Sequence, residues 1–140
     1  MIAVAAACSA SLAVGSANAT GAGYNGTDPA ATGCNQNAAL IQSRAILLGG
    51  EGADVGTVDV YYSYSCQTNW IRVEDNTLGG WADKNISVEG GVSLPTESDY
   101  GYISSYSMQV YAPGSTCVDY SVGLSDPTDY YYGYHEDRVC

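Results

Sequence analysis

Positive charge is nearly missing from this sequence. Its only basic side chains are Arg44, Arg72, Lys84 and Arg138, against 15 acids in 140 residues. Proteins that neutralise phosphates need clustered Lys and Arg. The shortage therefore excludes a nucleic-acid partner and argues against an anionic membrane surface. Phenylalanine is absent altogether, and there is one histidine, His135. No C-x-x-C pair occurs, which argues against a zinc ribbon or a thioredoxin-like redox site. No internal repeat, heptad pattern or second-domain linker is present. No apolar run is long enough for a membrane span.

The first stretch, Met1 to Ala19, carries no charge and ends in Ala17-Asn18-Ala19. An apolar run closed by small residues reads as a signal peptide, so residues 1–19 are expected to be removed on export. Basic residues do not precede the run, which is what a start upstream of Met1 would produce. Lipidation at Cys8 is disfavoured, because Ala5-Ala6-Ala7 lacks a large aliphatic residue. Residues 20–33, rich in Gly, Ala, Asn and Thr, are expected to be a flexible lead-in to a single β domain over 34–140.

Export leaves four cysteines, Cys34, Cys66, Cys117 and Cys140. An even count in a small exported chain reads as a disulfide framework. Of the three pairings, Cys34–Cys66 with Cys117–Cys140 closes two local loops and is the one expected. With cysteines paired, thiol chemistry is disfavoured.

What the sequence does contain is β-pattern. Val58, Val60, Tyr62, Tyr64 and Cys66 alternate with polar partners, a half-buried strand that places Cys66 on its apolar face. Ile86 to Val88 is a short strand. Tyr100, Tyr102, Tyr106, Met108 and Val110 mark one face of a long strand ended by Pro113-Gly114, and Val118, Tyr120 and Val122 mark another. Residues 40–48 fit either a helical stripe or a strand. Short alternating segments between turns predict an all-β fold, a small disulfide-stapled β-sandwich or partly open barrel. With 13 Tyr and no Phe, the core is expected to be thin and built with Tyr.

The run from Gly56 to Val73 resembles the YjfA-like family of secreted Gram-positive bacterial domains of unknown function. Its pattern is an aliphatic strand, Tyr-Ser (Tyr62-Ser63), Cys (Cys66), a small polar pair, then Trp-Ala-Arg, here Trp70-Ile71-Arg72. Asp28-Pro29 with Gly33-Cys34, and Met108 to Gly114 with Cys117, extend the likeness over about Asp28 to Cys117. Asp129 to Tyr134 lies outside the pattern. The resemblance implies export and a disulfide-bearing β fold, and it brings no catalytic residues.

Catalytic constellations are sparse. A serine triad would have to use His135, and no Gly-x-Ser-x-Gly elbow accompanies it. His135 in an acidic, Tyr-rich tail reads as a surface residue. Paired carboxylates would suit glycoside hydrolysis only at a set separation across a cleft. Asp126, Asp129, Glu136 and Asp137 are the calcium candidates, with Glu97/Asp99 and Glu74/Asp75 behind them, yet none forms an EF-hand loop. No other cofactor is implied.

The remaining candidate is an aromatic surface: Trp70, Trp81, Tyr130, Tyr131, Tyr132 and Tyr134, with Tyr61 beside them. Flat apolar faces with polar edges suit sugar rings and protein hot spots. For Trp70 the alternative is a core residue capped by Arg72. The expected function is a secreted, non-enzymatic module that binds a cell-envelope glycan or an extracellular protein. The alternatives are a small extracellular hydrolase and a self-assembling surface protein with exposed β edges. Oligomeric state is left open.

Overall fold

The computed structural model describes residues 20–140. The signal-peptide reading of 1–19, Cys8 included, lies outside them. The described chain has nine strands: β1 (Ala38–Leu48), β2 (Asp54–Ser63), β3 (Thr68–Glu74), β4 (Trp81–Val88), β5 (Glu97–Tyr100), β6 (Ser105–Tyr106), β7 (Val110–Tyr111), β8 (Val118–Ser125) and β9 (Tyr132–Val139). Two 3-10 turns, Gly21–Tyr24 and Cys34–Asn37, are the only other regular elements there. No helix among the described residues is long and apolar enough to cross a membrane.

All strand pairs are antiparallel and belong to one sheet, in the order β5-β4-β8-β9-β1-β2-β3-β6, with β7 also on β3. The sheet curls until its two edges meet, giving a partly open barrel. Side chains close the seam. Lys84 Nζ on β4 donates to Asp99 Oδ2 on β5 at 2.6 Å and to Ser105 Oγ on β6 at 3.0 Å. The Met108 amide donates to Glu97 Oε2 at 2.8 Å.

The core is aliphatic. Ile46, Val58, Val60, Ile71, Val73, Ile86, Val110, Val122 and Leu124 are buried inside the curl. The Tyr-built core expected from composition is not what forms. Of the 13 tyrosines only Tyr120 is buried. β-Branched residues pack on the inner pleat at no polar cost, whereas each buried phenol must find a partner. Gly133 on β9 is required where β9 meets β1, because a Cβ there would lie 2.5 Å from Val55 and 3.2 Å from Ile46.

Several local expectations change. Residues 40–48 form a strand, because β2 supplies a ladder along nearly their whole length. The strand expected to run into Cys66 ends at Ser63. Cys66 sits in the following turn, where Gln67 adopts φ 56°. The single long strand through Tyr100 to Val110 is three short ones. Gly101, at φ 80°, ends β5, and the chain crosses from one sheet edge to the other, so β5 pairs with β4 while β6 and β7 pair with β3.

The structure also differs at 20–33, read above as a flexible lead-in. This segment is docked. The Gly26 amide donates to the Gln109 carbonyl, and the Gln109 amide donates to the Thr27 carbonyl, both at 2.9 Å. The buried Gln109 side chain donates to Thr27 Oγ1 and Thr32 Oγ1, each at 2.9 Å, and accepts from Thr68 Oγ1 at 2.6 Å. The Cys34–Cys66 disulfide pins the end of the segment, and Cys117–Cys140 ties the end of the chain to the start of β8.

Candidate functional site

Strand register decides which aromatics share a surface. On β4, Ala82, Lys84 and Ile86 point inward, so Trp81, Asp83 and Asn85 point outward. On β9, Gly133 faces the core, so Tyr132, Tyr134 and Glu136 point outward. Trp81 pairs with Tyr100 of β5, their rings 5.0 Å apart in edge-to-face contact. One residue beyond the Ala82–Leu124 pair, Trp81 comes level with Ser125, which pairs with Tyr132. Tyr100, Trp81, Ser125 and Tyr132 therefore form one row across four strands. At a strand spacing of about 4.8 Å, Trp81 and Tyr132 stand about 10 Å apart with a small side chain between them.

The next rows turn polar. Asp83 is level with Gly123 and Tyr134, and Ser98 Oγ donates to Asp83 Oδ1. Below them, Asn85, Ser87, Ser121, Asp119 and Glu136 line a shallow hollow of about 190 Å³. Tyr134 OH donates to Glu136 Oε2 at 2.7 Å, and this bond raises the Tyr134 phenol. Arg138 holds Asp119 below the usual carboxylate range by hydrogen bonds of 2.7 and 3.0 Å. It also reaches Glu89. The surface thus joins an aromatic row to a polar hollow rich in acceptors.

Of the sequence-derived residues, Trp81, Tyr132 and Tyr134 are brought together here. Tyr130 and Tyr131 occupy the turn before β9, their rings 4.8 Å apart. Asp126 organises that turn by accepting from the amides of Tyr130 and Tyr131 and from Thr128 Oγ1, contacts that lower its carboxyl, the Thr128 bond foremost. Tyr100 was missed, because its partner Trp81 is set by the β4–β5 hairpin and not by local pattern.

Trp70 is not part of this surface. It is buried on the outer side of β3, stacked on Tyr61 with ring centroids 5.7 Å apart. Pro29 and Ala30 of the docked segment face it across a groove. That groove, of about 250 Å³, is lined by Pro29, Ala30, Asn35, Tyr61, Trp70, Arg72 and Tyr106. Arg72 is paired with Glu74, and Tyr106 OH donates to Asp28 at 3.1 Å. Trp70 as an exposed contact residue is therefore corrected to a buried wall.

His135, expected at the surface, is half-buried. It faces inward on β9, 6.0 Å from the Tyr120 ring. Its Nε2 is buried without a hydrogen-bond partner and stands 4.0 Å from Asp137 Oδ2, too far for a hydrogen bond. No serine hydroxyl among the described residues is bonded to it. Among the described residues no three His, Cys, Asp or Glu side chains converge to hold a metal. Asp126 and Asp129 lie in the turn before β9. Glu136 is bonded to Tyr134 and Asp137 to Arg44. Glu97 and Asp99 work at the seam, where burial raises the Glu97 carboxyl.

No curated protein and no solved structure matches the chain. A family model does match, over residues 22–121. That stretch holds the docked segment, the Trp70 groove, the seam and the β4–β5 half of the aromatic row, and it stops before Tyr132. It covers well over half of the sequence, and the chain belongs to this family, described as a protein of unknown function (DUF2690).

Proposed function

We propose that the protein is an exported, extracellular, non-enzymatic module that binds a cell-envelope glycan on the outer face of β5, β4, β8 and β9. The observation that carries this reading is the row Tyr100–Trp81–Ser125–Tyr132 running into the hollow at Asn85, Ser121 and Glu136. Stacking faces about 10 Å apart suit alternate rings of an extended saccharide. The acceptors below suit its hydroxyl or amino groups, and the acids favour a neutral or amine-bearing sugar over an anionic one. Two disulfides support an oxidising, extracellular setting. The YjfA-like likeness is retained within this reading, since its central motif lies inside the matched stretch.

The test is sedimentation of the protein with insoluble peptidoglycan, chitin and cellulose. Binding to at least one is expected. Trp81→Ala and Tyr132→Ala are each expected to cost about 1 kcal/mol, roughly fivefold in affinity. Undiminished binding by the double variant, or no binding to any of the three, overturns the proposal. Turnover that disappears in carboxylate-to-amide variants replaces it with the hydrolase.

A further inference from the structure

The barrel has a second opening, away from the seam. β1 and β9 pair only at Leu47–Tyr134 and Leu48–Gly133. From Leu40 to Ile46 the flank of β1 that faces β9 has no backbone partner among the described residues, although its other flank is laddered to β2. Only side chains span the gap: Arg44 Nε reaches Asp137 Oδ2 at 3.3 Å, and Tyr120 OH donates to Gln42 Oε1. An unpaired strand flank presents a row of free N–H and C=O groups, a ready template for another strand.

Two further features make this gap a receptor. Leu40 and Ile41 are exposed, 52% and 41%, and a bulge takes Ile41 out of register with β2. A pocket of about 200 Å³ straddles the gap, with Ile41 on one side, Val139 on the other, and Tyr62, Asn69 and Thr116 around it. Strand addition draws affinity from main-chain hydrogen bonds and specificity from pockets for alternate side chains.

Charge selects the occupant. The chain carries a formal −11, and Glu136 and Asp137 stand on the β9 side of the gap. The two nearby cations are both engaged, Arg44 by Asp137 and Arg138 on β9 by Asp119 and Glu89. A second copy would bring the same charge and be repelled. We propose that the gap binds an extended, basic segment of another protein as an added β-strand, with one apolar side chain in the Ile41–Val139 pocket. The exposed Arg44–Asp137 pair that it displaces is of a kind worth little. This site is separate from the aromatic row and does not depend on the glycan reading.

The test uses amide hydrogen exchange on the full chain with an acetylated peptide of alternating lysine and valine, and with its glutamate–valine counterpart. The lysine peptide is expected to protect the amides of 40–46 and of the β9 strand facing them, and the glutamate peptide is not. Ile41→Asp is expected to weaken binding about tenfold or more. Leu40→Asp, at another exposed position, serves if the first variant melts early. Trp81→Ala is expected to bind the peptide normally. Absence of protection at 40–46, equal protection by both peptides, or protection that arises in the protein alone as its concentration rises, overturns the proposal, the last in favour of a second copy.

Discussion

At the scale of single residues, Lys84 and Tyr120 are the two polar side chains with most at stake. Lys84 is fully buried, while its partner Asp99 is partly exposed. The two members of the pair are therefore unequal. Asp99→Asn leaves a buried ammonium without its counter-charge and is expected to cost about 3 kcal/mol. Lys84→Met leaves only a hydrated carboxylate and keeps the packing, so it is expected to cost markedly less. Urea unfolding of the two variants checks the order, and equal losses would show that the charge at position 84 is not what the seam depends on. Burial, with the Asp137 charge beside it, pushes the Tyr120 phenol up to about 12 from a usual value of 10.0. Its folded-state pKa is thus raised. The stability it contributes is complete below pH 10.0 and is lost as pH rises through about 12. Ultraviolet titration is expected to show a late phenol step that Tyr120→Phe removes.

At the scale of elements, the docked segment shows how a stretch rich in Gly, Ala and Asn becomes ordered. It has almost no apolar side chains to bury. Gln109 replaces them with hydrogen bonds to Thr27, Thr32 and Thr68, and Cys34–Cys66 holds its end in place. Replacing both cysteines by Ala is expected to cost about 3 kcal/mol and to open the segment first, since it is held mainly by polar contacts. Trp70 would then lose the Pro29 and Ala30 that face it, so its fluorescence should shift to the red before the sheet melts. Simultaneous loss of both signals would mean that segment and sheet are one cooperative unit. The same element logic explains β1. It is laddered on one flank by β2, while on the other β9 comes close only at Leu47 and Leu48, where the missing Cβ of Gly133 makes room.

At the scale of the molecule, an excess of acids acts on the whole fold. Their mutual repulsion disfavours the compact state and is screened by salt. Melting temperature is expected to rise between about 0.01 and 0.15 M sodium chloride. A fall would show that the ion pairs at Arg138 and Arg44 outweigh the repulsion. Much of the fold was legible beforehand. Alternation at Val58–Val60 and Val118–Val122, with turns between, pointed to β structure, and the four cysteines that the expected export cleavage would leave pointed to disulfides. Long-range placement was not legible. Trp81 and Tyr132 meet through the β4–β8–β9 register, 51 positions apart in the chain, and no local pattern encodes that register. His135 is half-buried and not fully at the surface because its neighbours Tyr134 and Glu136 face outward while it faces in, and period-two alternation does not say which face is which until a neighbour is known.

By itself, the sequence determined the strand class, the acidity and the cysteine positions, because local alternation, side-chain charge and residue identity are properties of the chain before it folds. Tertiary structure alone decided that the tyrosines would lie outside an aliphatic core, that the Gly-rich segment would be pinned, and that β1 would keep an open flank. Each of those depends on pairing between residues far apart in the chain, where burial of the best-packing side chains, and not local preference, sets the outcome.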